Sequence, residues 1–188
     1  MNHHNGYMDA IELLKNLVRR PLDAVDNFWA DLDPSQLNSH PGGHPNSIAW
    51  LIWHAARETD AQIAQLAGAE QSWTAEGFED RFELSDVNLG TADIGLGQSR
   101  DDAWAVKVEE TAEGKALLRD YVETVYDKFA AWVETLTEED LARVIDEQWD
   151  PPVTMGVRVL SVIDDATQHV GQAAYVAGTV EFVDLPRS

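Results

Sequence analysis

Cysteine is absent from the 188 residues, which excludes disulfides, thiolate metal ligands and a cysteine nucleophile. Any sulfur chemistry would need a thiol brought in from outside. Cationic residues are scarce: 13 Lys+Arg stand against 34 Asp+Glu, a formal net charge of −21. That excess repels phosphate backbones and anionic lipid surfaces over a Debye length, so neither nucleic acid nor membrane is an expected partner. No apolar run approaches the roughly 20 residues of a membrane span, and Met1 to Gly6 lacks the charged and apolar blocks of a signal peptide. The expectation is a cytoplasmic protein. Its acidity reads as a solvated surface, because no single-sign run forms a tail. Internal repeats, low-complexity tracts and strand candidates are missing as well.

What is present is helical periodicity over a length suited to one domain, 1–188. From Met8 to about Leu32, Ile11, Leu14, Val18, Leu22, Val25, Trp29 and Leu32 share one helical face. Pro21 predicts a kink or break near Val18 to Arg20. Asn46 is the expected N-cap of a second helix from Ser47 to about Ala67, stopped by Gly68, with Ile48, Leu51, Ile52, Ala55, Ile63 and Leu66 inward. Residues 69–98 carry no clear period, and a connection of that length hides short helices or has a function. Ser99 and Asp102 resemble a capping box, and Gly114 is expected to separate a short helix from a long third one. The third bears Leu117, Leu118, Tyr121, Val122, Val125, Phe129, Trp132 and Val133 on one face. A loop over 137–153 closes at Pro151 and Pro152. Thr154 then caps a fourth helix to about Val180, with Val157, Leu160, Ile163, Ala166, Ala173 and Val176 inward. The fold class expected is all-α, an antiparallel four-helix bundle whose two long loops wall a pocket.

Asp165 and His169 stand four residues apart on the fourth helix, so both side chains can reach one ion. Apolar and small neighbours surround them, and a carboxylate pointing into a bundle should be paired or bound to metal. Taken alone, the pair fits a buried Asp–His hydrogen bond or a solvent-facing pair better than a metal site. His54, on the second amphipathic helix, offers a third ligand across the core. Three ligands leave positions open, as catalytic rather than structural metal sites do. His40 and His44 in the first loop, and His3 and His4 near the terminus, are not expected to bind functional metal.

The segments Asn46-Ser47-Ile48-Ala49-Trp50-Leu51-Ile52-Trp53-His54-Ala55-Ala56-Arg57 and Asp165-Ala166-Thr167-Gln168-His169-Val170-Gly171-Gln172-Ala173-Ala174-Tyr175 resemble the two signature helices of DinB-like proteins. More narrowly, they resemble the branch of low-molecular-weight thiol S-transferases and mycothiol-dependent maleylpyruvate isomerase. The likeness covers nearly the whole chain, including Asp93-Ile94-Gly95-Leu96-Gly97-Gln98-Ser99. It implies a divalent metal, zinc or else nickel, held by His54, Asp165 and His169. Asp165 stands where many members have a histidine and the isomerases a longer Glu.

The resemblance also implies a mycothiol-like cosubstrate, made nucleophilic as a metal-bound thiolate for attack on an electrophile in a detoxification role. Arg57 and Gln172 are candidates for orienting that thiol, although Arg57 equally reads as a surface cation beside Asp60 or Glu58. Glu58, one turn beyond His54, is a candidate acceptor for a ligand histidine. Isomerisation is less expected, because the isomerases carry a further C-terminal domain. The competing functions are a non-catalytic metal-binding stress-response protein and a metal-dependent hydrolase, which would need no thiol. Family analogy adds a possible homodimer.

Overall fold

Pro21 divides the first helical stretch. In the computed structural model, which describes residues 9–183, α1 spans Ala10–Leu17 and α2 spans Arg20–Trp29. The break falls over 18–19, as the missing proline N–H requires. Leu14, Val18, Leu22, Val25, Trp29 and Leu32 are buried on both sides of it. Expectations concerning His3, His4 and Met8 lie outside the described residues.

Helix α3 (Ile48–Ala67) is the central element, and every residue from 48 to 57 is buried. A helix apolar on all sides belongs in the interior. Its cap is Ser47 rather than Asn46: the Ser47 hydroxyl accepts from the Trp50 N–H at 3.1 Å, while the Asn46 N–H is spent on His44 Nδ1. Gly68 ends the helix at φ 64°, a left-handed conformation that glycine adopts without steric cost.

The segment after α3 conceals α4 (Ser72–Ala75) and α5 (Phe78–Phe82). Their Trp73, Phe78 and Phe82 rings cluster around Tyr121 with centroids 5.4, 4.7 and 5.7 Å away. Aromatic burial therefore holds a segment that has no helical period. The expected box of Ser99 and Asp102 caps α6 (Arg100–Ala105). Gly114 does not separate helices; it lies in the first turn of α7 (Ala112–Val133), which Thr111 caps. A Cβ there would stand 2.1 Å from the Glu109 carbonyl oxygen, so this glycine serves close approach rather than termination.

A short α8 (Glu138–Ala142) leads into a two-stranded sheet that the sequence did not announce. Strand β1 (Val144–Asp146) pairs antiparallel with β2 (Val153–Thr154), with Val144 opposite Thr154 and an irregularity before Asp146. Runs of three and two residues are too short to show alternation.

Helix α9 runs Met155–Val183, and Thr154 Oγ1 accepts from the Val157 N–H at 3.3 Å, as a cap should. Its buried stripe is Met155, Val159, Val162, Ile163, Ala166, Val170 and Ala173; Val157 and Leu160, expected inside, are 51% and 48% exposed. Helix α3 packs on both α7 and α9, α2 on α9, and α1 on α7. Among the described residues no helix is long and apolar enough to cross a membrane.

Candidate metal centre

Packing of α3 against α9 brings the two signature segments face to face. His54, Asp165 and His169 each place one ligand atom so that all three lie within 4.8 Å of one another. Asp165 Oδ2 stands 3.5 Å from His169 Nε2. Donors bound about 2.0–2.2 Å from a tetrahedral zinc ion sit roughly 3.4 Å apart, the spacing at which Asp165 and His169 already stand, with His54 within 4.8 Å of both.

Hydrogen bonds fix which nitrogen of each ring is available. His54 Nδ1 donates to the Ile94 carbonyl, and His169 Nδ1 donates to Gln172 Oε1 at 3.0 Å. Each ring therefore carries its proton on Nδ1 and keeps the Nε2 lone pair for a metal, the arrangement in which outer partners set a ligand's tautomer. The rings of His54 and His169 meet edge to face at 4.6 Å, and Trp50 stacks on His54 at 4.6 Å. Trp50 is itself tied down by Nε1–H donation to Gln98 at 2.8 Å.

Charge favours cation binding. Burial pushes the His54 imidazole below its ordinary pKa of 6.5, so the ring is neutral and can act as a ligand. Asp165 Oδ2 is buried and receives no N–H or hydroxyl donor among the described residues; its near partner is the protonated Glu58 carboxyl. A buried carboxylate whose only near partner is a second carboxyl is better satisfied by a cation. That oxygen beside two Nε2 atoms fits a divalent ion bound by oxygen and nitrogen donors.

The remaining candidates take other roles. Glu58 does not accept from a ligand histidine. It accepts from Gln62 Nε2 at 2.6 Å, and burial, then a hydrogen bond to Asp165 and repulsion by its charge, push its carboxyl up to about 8. Gln172 is engaged with His169. Arg57 is neither a surface cation nor turned toward a ligand, being 1% exposed. Its Nε donates to the Asp93 carbonyl at 3.0 Å, and its terminal nitrogens to Tyr121 Oη at 3.1 Å, Gln71 at 2.9 Å and Asp60 at 3.4 Å. Arg57 thus clamps the loop whose next carbonyl, that of Ile94, orients His54. The loop, expected to wall a pocket, also sets Gly95 against the rings of Trp50 and His54; that its Ile94 carbonyl orients His54 was not foreseen. His40 stacks on Trp104 at 3.6 Å and is not part of the ligand set.

A model of the DinB superfamily matches residues 17–173. A crystal structure of a conserved protein from Enterococcus faecalis is 30% identical, with a TM-score of 0.78, over 91% of this chain and 96% of that one. No curated protein matches. The family match spans most of the chain and runs through His54, Asp165 and His169, and the protein belongs to the DinB superfamily.

Proposed function

We propose that the protein is a metal-dependent transferase that activates a low-molecular-weight, mycothiol-like thiol for attack on an electrophile. In this reading α1 and α2 count as one kinked helix, which with α3, α7 and α9 makes a DinB-like four-helix bundle. The observation that carries the proposal is the convergence of one possible ligand atom each from His54, Asp165 and His169. Bound there, zinc would supply Lewis acidity that favours thiolate over thiol at neutral pH.

The chain's own residues supply the rest. His54, Asp165 and His169 contribute three ligands, which leaves room for an external one. Ile94 and Gln172 hold the two imidazoles in the ligating tautomer. Trp50 shields one side of the site from water, and low dielectric strengthens charge interactions there. With no cysteine in the chain, the sulfur nucleophile has to be a separate molecule.

The test is thiol-dependent consumption of monochlorobimane by zinc-loaded protein, compared with metal-free protein and with His169→Ala. Consumption that requires both zinc and thiol, and is abolished in the variant, is the expected result. Turnover of an ester or amide by zinc-loaded protein with no thiol present would instead identify a hydrolase. Metal uptake without either activity would leave a metal-binding protein.

A further inference from the structure

We infer that Arg143 and Arg158 form an anion-binding subsite about two helical turns from the metal ligands, which takes a carboxylate or phosphate group of the same small-molecule ligand. The inference rests on the proposed function only for what occupies the metal end.

Between α3, the β1–β2 hairpin and α9 lies a cavity of about 300 Å³ bounded by Gln62, Gln65, Arg143, Asp146, Met155 and Arg158. Arg158 precedes Asp165 by seven residues on α9, so the two share a face at a separation of about 10 Å. On α3, Gln62 follows His54 by eight residues and contacts Glu58, the neighbour of Asp165. The cavity therefore lies further along the same α3–α9 seam as the metal ligands.

The charge at this place departs from the rest of the molecule. Several arginines are matched, Arg81 to Asp120 at 2.8 Å, Arg119 to Asp26 at 2.8 Å and Arg57 to Asp60 within the buried network, while Arg100 meets only the Gly43 carbonyl. Arg158 pairs with Asp146 at 3.5 Å, a long ion pair with no hydrogen bond. Arg143 has no carboxylate within 4.0 Å among the described residues, Asp140 acting on it only at longer range; its guanidinium meets the Met155 sulfur at 4.0 Å, a weak acceptor that a ligand displaces easily. Two guanidiniums against one carboxylate leave the lining with one net positive charge, on a chain of net charge −21. Guanidinium forks with free N–H groups match the paired oxygens of carboxylate and phosphate. The amides of Gln62 and Gln65 add donors and acceptors for a polar middle section. A ligand that spans the seam thus carries its anionic group about two helical turns from its metal-binding atom.

The test uses cobalt(II)-loaded protein titrated with ω-mercaptooctanoic acid and with ω-mercaptooctanol, which differ only in the terminal charge. Thiol binding is read from the sulfur-to-cobalt absorption band. The acid should bind about tenfold or more tightly than the alcohol. Arg143→Gln and Arg158→Gln should each reduce that preference and leave the alcohol unchanged. Arg143→Lys, which keeps the charge but loses the fork, tests the same point with less risk to folding. A second arm measures inorganic phosphate and suberate binding to metal-free protein by calorimetry. Binding there that vanishes in the double glutamine variant supports the subsite even if neither thiol reaches the cobalt, which would sink the thiol reading alone. Equal affinities for acid and alcohol, or phosphate binding that survives both substitutions, would overturn the subsite.

Discussion

Gly95 sits at φ 91°, where a Cβ would lie 3.0 Å from the Trp50 ring and 3.1 Å from His54 Nδ1. Gly95→Ala should therefore shift the loop and the Ile94 carbonyl that aims His54, lowering metal affinity about 10–100-fold, as loss of an outer partner does. Competition titration with a chromophoric chelator measures this. At Glu58 a pH effect is expected in the metal-free protein. Its folded pKa of about 8 exceeds the ordinary 4.5, so its stabilising contribution is full below 4.5 and is lost as pH rises through 8. Urea midpoints of metal-free protein should fall across that window, and Glu58→Gln should flatten the fall. At this scale the grouping of His54, Asp165 and His169 was legible: helical spacing put Asp165 and His169 on one face, and the family resemblance, not periodicity, brought His54 to them. The roles of Glu58, Gln172 and Arg57 were not. Each depends on which neighbour its side chain reaches, and for Arg57 that neighbour is a loop carbonyl with no periodic signal.

Arg57 and Asp60 join four elements. Asp60 accepts from the Ser72 and Trp73 N–H groups at 2.8 Å each and from Tyr121 Oη at 3.0 Å, fixing α4 and α7 to α3, while Arg57 holds the loop at Asp93. Arg57→Met leaves a buried carboxylate without its cation and should cost about 3–5 kcal/mol in urea unfolding. Metal affinity should fall with it, since the loop carbonyl at Ile94 loses its anchor. The long elements were readable from spacing, and the break at Pro21 from proline chemistry. Three features were not. Ser47 displaced Asn46 as a cap because the chain geometry set its hydroxyl within reach of Trp50. The hairpin strands were too short for alternation to appear. Val157 and Leu160 lie out of phase with the buried stripe of α9, where aliphatic residues recur on more than one face and spacing alone selects the wrong one.

For the whole molecule, a net charge of −21 makes folding repulsive and cation binding favourable. A divalent ion that binds only the folded state should raise stability by about 2.7 kcal/mol at a hundredfold excess over its dissociation constant. Thermal unfolding with and without zinc measures the gain, which His169→Ala should abolish. Added salt should weaken zinc uptake modestly, since screening reduces the attraction of the acidic surface. The central claim is that His54, Asp165 and His169 hold one divalent ion. Its most direct test is elemental analysis by inductively coupled plasma mass spectrometry on untagged protein purified without a metal-affinity column, beside Asp165→Ala and His169→Ala. The account predicts near-stoichiometric zinc or nickel in the wild type and its loss from both variants. Metal-free wild-type protein that also fails to take up added zinc would contradict it.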